Sequence, residues 1–203
     1  RQMCIRDSPN MLYGEANEIV PFFRNVSNDI GLPLIIQDLE FNGPGLNMET
    51  IEALRRALPS LLGMKVETIP AGPKYTAIRQ AFGEDFFVAG GWAIMQMVEA
   101  LDRGVDAMIP ESSMVKVYSK IFQYFVDGQR AQSLQLFRRL LPILTFSTQD
   151  LGTSIAFFKR LLVKKGIFRS TVARNPDCVL DSYQVRVADE LIDYYLNLEM
   201  TIN

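Results

Sequence analysis

The sequence predicts an α/β fold in which helices cover a parallel sheet, followed by a segment that is helical only. Between residues 19 and 128, short apolar runs typical of buried strands alternate with segments whose apolar residues recur at helical spacing. This alternation indicates a parallel sheet, because parallel strands need crossover connections and helices supply them. Beyond Gly128 the apolar residues follow helical spacing alone.

The residues that bound each predicted element are typical helix starts and stops. Gly31 and Gly83 end two of the helices, Asn47 caps another, and Pro59 stops it. In order, we predict a helix at 19–30, a strand at 33–36, a helix at 48–58, a strand at 61–66, a helix at 74–82, a strand at 85–89, a helix at 93–101, a strand at 105–109 and a helix at 115–125. Helices at 130–141, 148–165 and 182–198 complete the chain. Four strands are therefore each followed by a helix.

Composition excludes several classes of function. The 203 residues contain 21 Lys+Arg against 23 Asp+Glu, so no basic excess points to nucleic acid or to an anionic membrane surface. No apolar run is long enough to span a bilayer. The absence of histidine removes His-based triads and His-ligated zinc sites from these residues. Two cysteines, Cys4 and Cys178, cannot build a disulfide framework or a four-cysteine metal site, so we predict a cytoplasmic protein without a metal.

Residues 1–8, which read RQMCIRDS, show neither helical nor strand periodicity and do not begin with methionine. They resemble a translated sequencing-adapter remnant, so we expect them to be non-native and to lie outside the fold. The native organisation is then predicted as an α/β part over 9–128 and a helical extension over 129–203.

Lys65 is the residue that most clearly points to chemistry. It lies within the apolar run 61–66, and reactive groups of parallel α/β folds gather at the carboxyl ends of strands. Burial disfavours the charged form of an amine, and a neutral lysine is the nucleophile that forms Schiff bases with carbonyl substrates. A structural ion pair with Glu67 is the alternative, because residues two apart share one face of a strand.

Two other features at strand ends point to a functional site less clearly than Lys65 does. Gly90-Gly91 lies between a strand and a helix, where it could admit a phosphate or simply form a tight turn. Asp38 and Glu40 follow another strand, and we interpret them as a solvated pair in a loop.

The stretches PLIIQD, GMKVE, FFVAGGW, RGVDAMIPE and DGQRAQSLQLFRRLLPIL resemble the dihydrodipicolinate synthase/N-acetylneuraminate lyase family in order and spacing. The resemblance runs from Pro9 to about Gly166. It implies the last four units of a (β/α)8 TIM barrel with C-terminal helices, in an enzyme that is a homotetramer at full length. It also implies a lyase without an organic cofactor, which joins a lysine, here Lys65, to pyruvate or another 2-oxo acid as a Schiff base.

The resemblance further implies which residues line the substrate. Gly91 matches a glycine beside the substrate carboxylate, and Met108 matches an apolar position beside the imine. Gln37 occupies the place of the usual proton-relaying tyrosine, and it cannot titrate near neutral pH. We therefore predict Lys65 as catalytic and Gln37, Glu67, Gly91 and Met108 as substrate-binding.

Other departures from the family pattern narrow the substrate. Asn42 stands where dihydrodipicolinate synthases carry an arginine, which argues against aspartate semialdehyde, and the usual carboxylate-binding loop of an earlier strand is missing. The KVET-x-P-x-G-P-K stretch is typical of a different branch, in which Lys74 and Tyr75 could meet the distal part of the substrate.

Three functions follow from the sequence. The first is Schiff-base aldol cleavage, condensation or dehydration of a 2-oxo acid at Lys65. The second is a catalytically impaired barrel that binds 2-oxo or sugar acids, and the third is a phosphosugar enzyme with phosphate at Gly90-Gly91. A (β/α)8 core typically needs about 250 residues, so we expect this chain alone to be poorly soluble and inactive.

Overall fold

The structure is a computed structural model that describes residues 4–7, 16–40, 43–91 and 95–202. The chain forms two compact units, Arg1–Ile109 and Pro110–Asn203. The second unit thus includes the helix that follows Pro110, and the predicted division of the native chain at residue 128 stays a prediction. Within the described ranges, no helix combines the length and the apolar character that crossing a membrane requires.

The first unit contains a five-stranded sheet in which sequential strands are neighbours and every pair is parallel. Its elements are β1 (Cys4–Asp7), α1 (Ala16–Ile30), β2 (Leu34–Leu39), α2 (Met48–Ala57), β3 (Leu61–Glu67), α3 (Ala71–Phe82), β4 (Phe87–Gly90), α4 (Met97–Asp102) and β5 (Ala107–Met108). The predicted alternation of strands and helices around a parallel sheet is confirmed.

Strand β1 lies in the segment that we expected outside the fold. Its backbone pairs with β2 from Cys4 opposite Leu34 to Asp7 opposite Gln37. This edge of β2 presents backbone N–H and C=O groups, and any short extended segment can satisfy them without apolar periodicity. The structure therefore differs from our expectation in that residues 4–7 belong to the sheet. The non-native origin of residues 1–8 stays a prediction.

Alternation along the strands separates a helix-covered apolar face from an opposite face that ends in polar side chains. The apolar face packs against the helices in one buried cluster, which includes Ile19, Phe23, Leu34, Ile36, Ile51, Leu54, Met64, Val66, Ile78 and Val88. Gln37, Lys65 and Glu67 alternate with these strand residues and so lie on the opposite face. The helices thus cover one face, and the polar groups concentrate at the carboxyl end of the other.

Several boundaries differ from the predicted ones. Strand β5 is shorter than the predicted 105–109. Helix α4 begins at Met97 instead of residue 93, and residues 92–94 lie outside the described ranges. We predicted a helix at 130–141, and the residue that follows is a proline, which lacks the backbone N–H of a helix interior. The helix instead continues through Pro142 to Ser147, where the buried residues Ile143 and Leu144 extend its apolar face.

The second unit consists of helices. They are α5 (Val115–Val126), α6 (Arg130–Ser147), α7 (Leu151–Lys164) and α8 (Ser182–Met200). A lysine–glutamate pair joins two of them near their C-terminal ends: Lys165 Nζ lies 2.7 Å from Glu199 Oε1 and also donates to the Ser113 carbonyl oxygen at 2.8 Å. Tyr195 Oη donates to the same carboxylate oxygen at 2.7 Å, so Glu199 accepts from two directions.

A two-point contact between α7 and α8 gives a pH-dependent prediction. Arg160 Nε and a terminal guanidinium nitrogen donate to the two carboxylate oxygens of Asp189 at 2.7 and 2.6 Å. These hydrogen bonds hold the pKa of Asp189 below its usual value. The stabilisation is therefore present above the ordinary aspartate pKa and is lost as pH falls through the lowered one.

We expect Asp189→Asn to lower the free energy of unfolding by about 0.5–1 kcal/mol at neutral pH, because the pair is partly exposed and solvent screens it. Urea unfolding of both proteins near neutral pH and near pH 2 measures this. The difference in the free energy of unfolding between the two proteins should vanish near pH 2. An equal loss at both pH values would show that the Asp189 carboxylate does not stabilise the contact.

Candidate active site

The carboxyl ends of β2, β3 and β4 bring the predicted site residues together. Gln37 is the register partner of Lys65, and Lys65 is the register partner of Ala89. Register partners of parallel strands direct their side chains to the same face, so Gln37 and Lys65 are neighbours. Residues far apart in sequence therefore meet at one edge of the sheet.

Lys65 Nζ contacts two acceptors at this edge. It donates to Gln37 Oε1 at 2.9 Å and lies 3.0 Å from Glu67 Oε1. Only 12% of the Lys65 side chain and 8% of the Glu67 side chain are exposed. The contact that strand alternation predicts between Lys65 and Glu67 is present, and this buried pair is the electrostatic centre of the site.

Gly91 packs directly against Glu67. A Cβ atom built on Gly91 would lie 2.0 Å from Glu67 Oε1 and 2.3 Å from its carboxyl carbon. No side chain fits there while the carboxyl group keeps its position. Glycine at this position therefore leaves room for the Glu67 carboxyl, a contact that the sequence did not predict.

A small pocket opens beside this contact. Glu67, Gly91 and Met108 line it together with Val66, Thr68, Ile69, Ala71, Tyr75, Met95 and Gln96. Three predicted substrate-binding residues thus share one pocket, and Glu67 joins that pocket to Lys65. The Thr68 hydroxyl, which is buried, has no hydrogen-bond partner among the described residues.

Tyr75 supplies a hydroxyl at the wall of this pocket. Its side chain is 97% buried, and a Cβ on Gly90 would meet both its hydroxyl and the Met108 sulfur at under 3 Å. Burial, with the Glu67 and Glu99 carboxylates nearby, raises the pKa of Tyr75 well above its usual value. The phenol therefore stays protonated and can act as a hydrogen-bond donor.

Asp38 and Lys74 form an ion pair between β2 and α3. Asp38 is fully buried, and Lys74 Nζ donates to its Oδ2 at 2.7 Å. Lys74 also donates to the Pro44 carbonyl oxygen, and the Leu46 N–H donates to Asp38 Oδ1 at 3.0 Å. Burial raises the pKa of the Asp38 carboxyl. The interpretation of Asp38 as part of a solvated pair is wrong, because it anchors the loop after β2 to α3.

Two further predicted features concern the loop after β2 and a metal site. Glu40 accepts a hydrogen bond from the Gly45 N–H at 2.6 Å, so it too holds the loop after β2. Asn42, at the position of the family arginine, lies outside the described residues. In the described part of the chain, no three His, Cys, Asp or Glu side chains form a group suited to a metal ion.

Several solved structures have helices and strands arranged as in this chain. A dihydrodipicolinate synthase from Rhodopseudomonas palustris matches with a TM-score of 0.79 and 21% identity, over 96% of this chain and 65% of that one. An N-acetylneuraminate lyase from Fusobacterium nucleatum matches with 0.80 and 17% identity, over 95% and 65%. A Ruminococcus gnavus sialic acid aldolase matches with 0.85 and 16% identity, over 98% and 66%.

These likenesses concern the fold. No protein-family model matches the sequence, and no curated protein does. The chain spans just under two thirds of the length of each of the three solved chains. Over that length it has the fold of the corresponding part of the (β/α)8 barrel with C-terminal helices that the dihydrodipicolinate synthase and N-acetylneuraminate lyase structures share.

Proposed function

We propose that this protein is a lyase that forms a Schiff base between Lys65 and a 2-oxo acid, and then makes or breaks a carbon–carbon or carbon–oxygen bond. The observation that carries the proposal is the buried Lys65 amine at a strand end, held between Gln37 and Glu67. The fold is also that of lyases, one of which matches as a complex with pyruvate. Another matching structure is a sialic acid aldolase described as a catalytic lysine mutant.

The chemistry follows from an amine at this position. The neutral Lys65 amine adds to the carbonyl carbon of the 2-oxo acid, and loss of water leaves an iminium. The iminium draws electrons from the adjacent carbon, so a bond at that carbon can form or break. Gln37 accepts a hydrogen bond from Nζ, which orients the amine without exchanging a proton with it.

We expect borohydride reduction in the presence of pyruvate to attach a stable adduct to Lys65 in the protein purified at its full natural length. Lys74 is a matched internal control, because its side chain is also 12% exposed and is also paired with a carboxylate. Peptide mass spectrometry after digestion locates the adduct. We expect modification of Lys65 and none of Lys74.

Two outcomes would argue against the proposal. A Lys65 that stays unmodified across a panel of 2-oxo acids would refute it. If these acids instead stabilised the folded protein without an adduct or turnover, and stabilised the Lys65→Ala variant equally, the protein would be a binding protein.

The resemblance also implies a homotetramer in the cytoplasm, and we propose both for the protein at its natural length. Light scattering coupled to size-exclusion chromatography tests the first. A monomer at all concentrations would contradict it.

A further inference from the structure

A Schiff-base reaction needs a group at the amine that can take and return a proton. Lys65 Nζ contacts Gln37 Oε1 and Glu67 Oε1 at nearly equal distances, 2.9 and 3.0 Å. An amide cannot carry a proton, whereas a carboxylate can. Of the two contacts, only Glu67 combines hydrogen-bond distance to the reacting nitrogen with the ability to titrate.

We propose that Glu67 is the proton carrier of the reaction at Lys65, and that Gly91 positions it. The inference rests on the proposed function. Glu67 removes a first proton from the Lys65 ammonium, and the neutral amine then adds to the substrate carbonyl carbon. A second proton moves from the nitrogen to the former carbonyl oxygen, which gives a neutral carbinolamine. Glu67 next returns its proton to the carbinolamine hydroxyl, the carbon–oxygen bond breaks, and water leaves with the formation of the iminium. The two protons that nitrogen loses leave in the water, and no oxidant or reductant is needed because addition of the amine and loss of water change no oxidation state.

The surroundings of Glu67 suit this role. The carboxyl group lines the pocket beside Gly91, Tyr75 and Met108, and its Oε1 also lies 3.0 Å from Lys65 Nζ, so Glu67 links the pocket to the reacting amine. Only 8% of its side chain is exposed, which limits exchange of the proton with bulk water. A purely structural partner for Lys65 needs neither feature.

Gly91 keeps the Glu67 carboxyl close to Lys65. A methyl group at residue 91 would lie 2.0 Å from Glu67 Oε1, so that oxygen, the one that contacts Nζ, must move. The atoms that must give way are the far end of a flexible side chain, so the fold can accommodate the change. Gly91→Ala therefore displaces the carboxylate without removing it. Gly91 is in this sense a positioning residue.

Glu67→Gln is the first test, because it preserves shape and the acceptor oxygen but cannot take a proton. We expect trapping of the pyruvate adduct under single-turnover conditions to slow by about 100-fold, the low end of general acid–base effects. The pH dependence of the trapping rate should lose the limb that Glu67 supplies. In Glu67→Ala, added formate should restore part of the rate.

Glu199→Gln is the matched control. It makes the same chemical change in another Lys–Glu pair, with Lys165 at 2.7 Å and a similarly buried carboxylate. Because this pair lies in the C-terminal unit and not at the site, we expect its trapping rate to equal that of the wild type.

Gly91→Ala keeps the proposal testable should the Glu67 variants fail to fold. We expect it to slow trapping at least about 10-fold while the melting temperature changes little, and to add almost nothing when combined with Glu67→Gln. Independent, multiplicative effects would show that Gly91 does not act through Glu67.

The outcomes separate this inference from the proposed function. Absence of an adduct in the wild type would refute the Schiff-base chemistry itself. An adduct that forms in Glu67→Gln at the wild-type rate, with an unchanged pH profile, would leave that chemistry standing and overturn the role of Glu67.

Discussion

Replacing Lys65 with arginine is expected to lower turnover of a 2-oxo acid by at least about 1000-fold and to abolish the borohydride adduct. Removal of the attacking nucleophile is among the most damaging single changes to an enzyme of covalent mechanism. Arginine retains a positive charge that can pair with Glu67, but its guanidinium stays protonated and is not a nucleophile. The variant therefore separates the charge of residue 65 from its reactivity.

Steady-state kinetics and thermal melting of the same preparations measure this effect. The matched control is Lys74→Arg, which makes the same substitution at an equally buried lysine whose partner is Asp38. We expect that control to form the adduct on Lys65 normally. Turnover by Lys65→Arg within 10-fold of the wild type would show that residue 65 is not the nucleophile.

The central pair of the site could be predicted from the sequence because it depends on local geometry. Lys65 interrupts an apolar strand, and alternation places Glu67 on the same face. Parallel pairing then brings Gln37 beside Lys65, because the neighbouring strand ends at the same edge. Each step uses a periodicity of the backbone, so the contact of Lys65 with Glu67 can be predicted from one sequence without an alignment of related sequences.

The contact of Gly91 with Glu67 could not be predicted in this way. It depends on how far the end of β4 lies from the end of β3, a sub-ångström matter of packing that no periodicity encodes. A glycine after a strand is ambiguous in sequence, since a tight turn and a close approach both favour it. The sequence offered the pair Gly90-Gly91 as a turn or a phosphate site, and the family resemblance placed Gly91 beside a substrate carboxylate; neither interpretation points to the carboxyl group of Glu67.

The pairing of Asp38 with Lys74 was missed for a related reason. Asp38 lies one residue beyond Gln37, so alternation directs it to the opposite, helix-covered face. There its carboxylate is buried, and the lysine that neutralises it comes from α3, 36 residues later. Charge at a strand end is usually solvated, and only the packing of α3 on the sheet shows that this one is not.

We expect Asp38→Ala to cost about 3–5 kcal/mol of stability, the usual effect of removing one partner from a buried ion pair. The loss leaves the Lys74 ammonium, whose side chain is 12% exposed, without its carboxylate, and it leaves the Leu46 N–H without its acceptor. Chemical denaturation followed by circular dichroism measures the change. The loop after β2 should also become more accessible to proteases, because Asp38 and Lys74 hold it against α3.

The double variant Asp38→Leu/Lys74→Met decides what the pair contributes. Removing both charges avoids the unpaired ion, so we expect the double variant to lose clearly less stability than the sum of the two single changes. Glu52→Ala is the surface control: its pair with Arg56 is about half or more exposed, and its loss should cost less than about 1 kcal/mol. If Asp38→Ala proved as mild as Glu52→Ala, the buried pair would not anchor the loop.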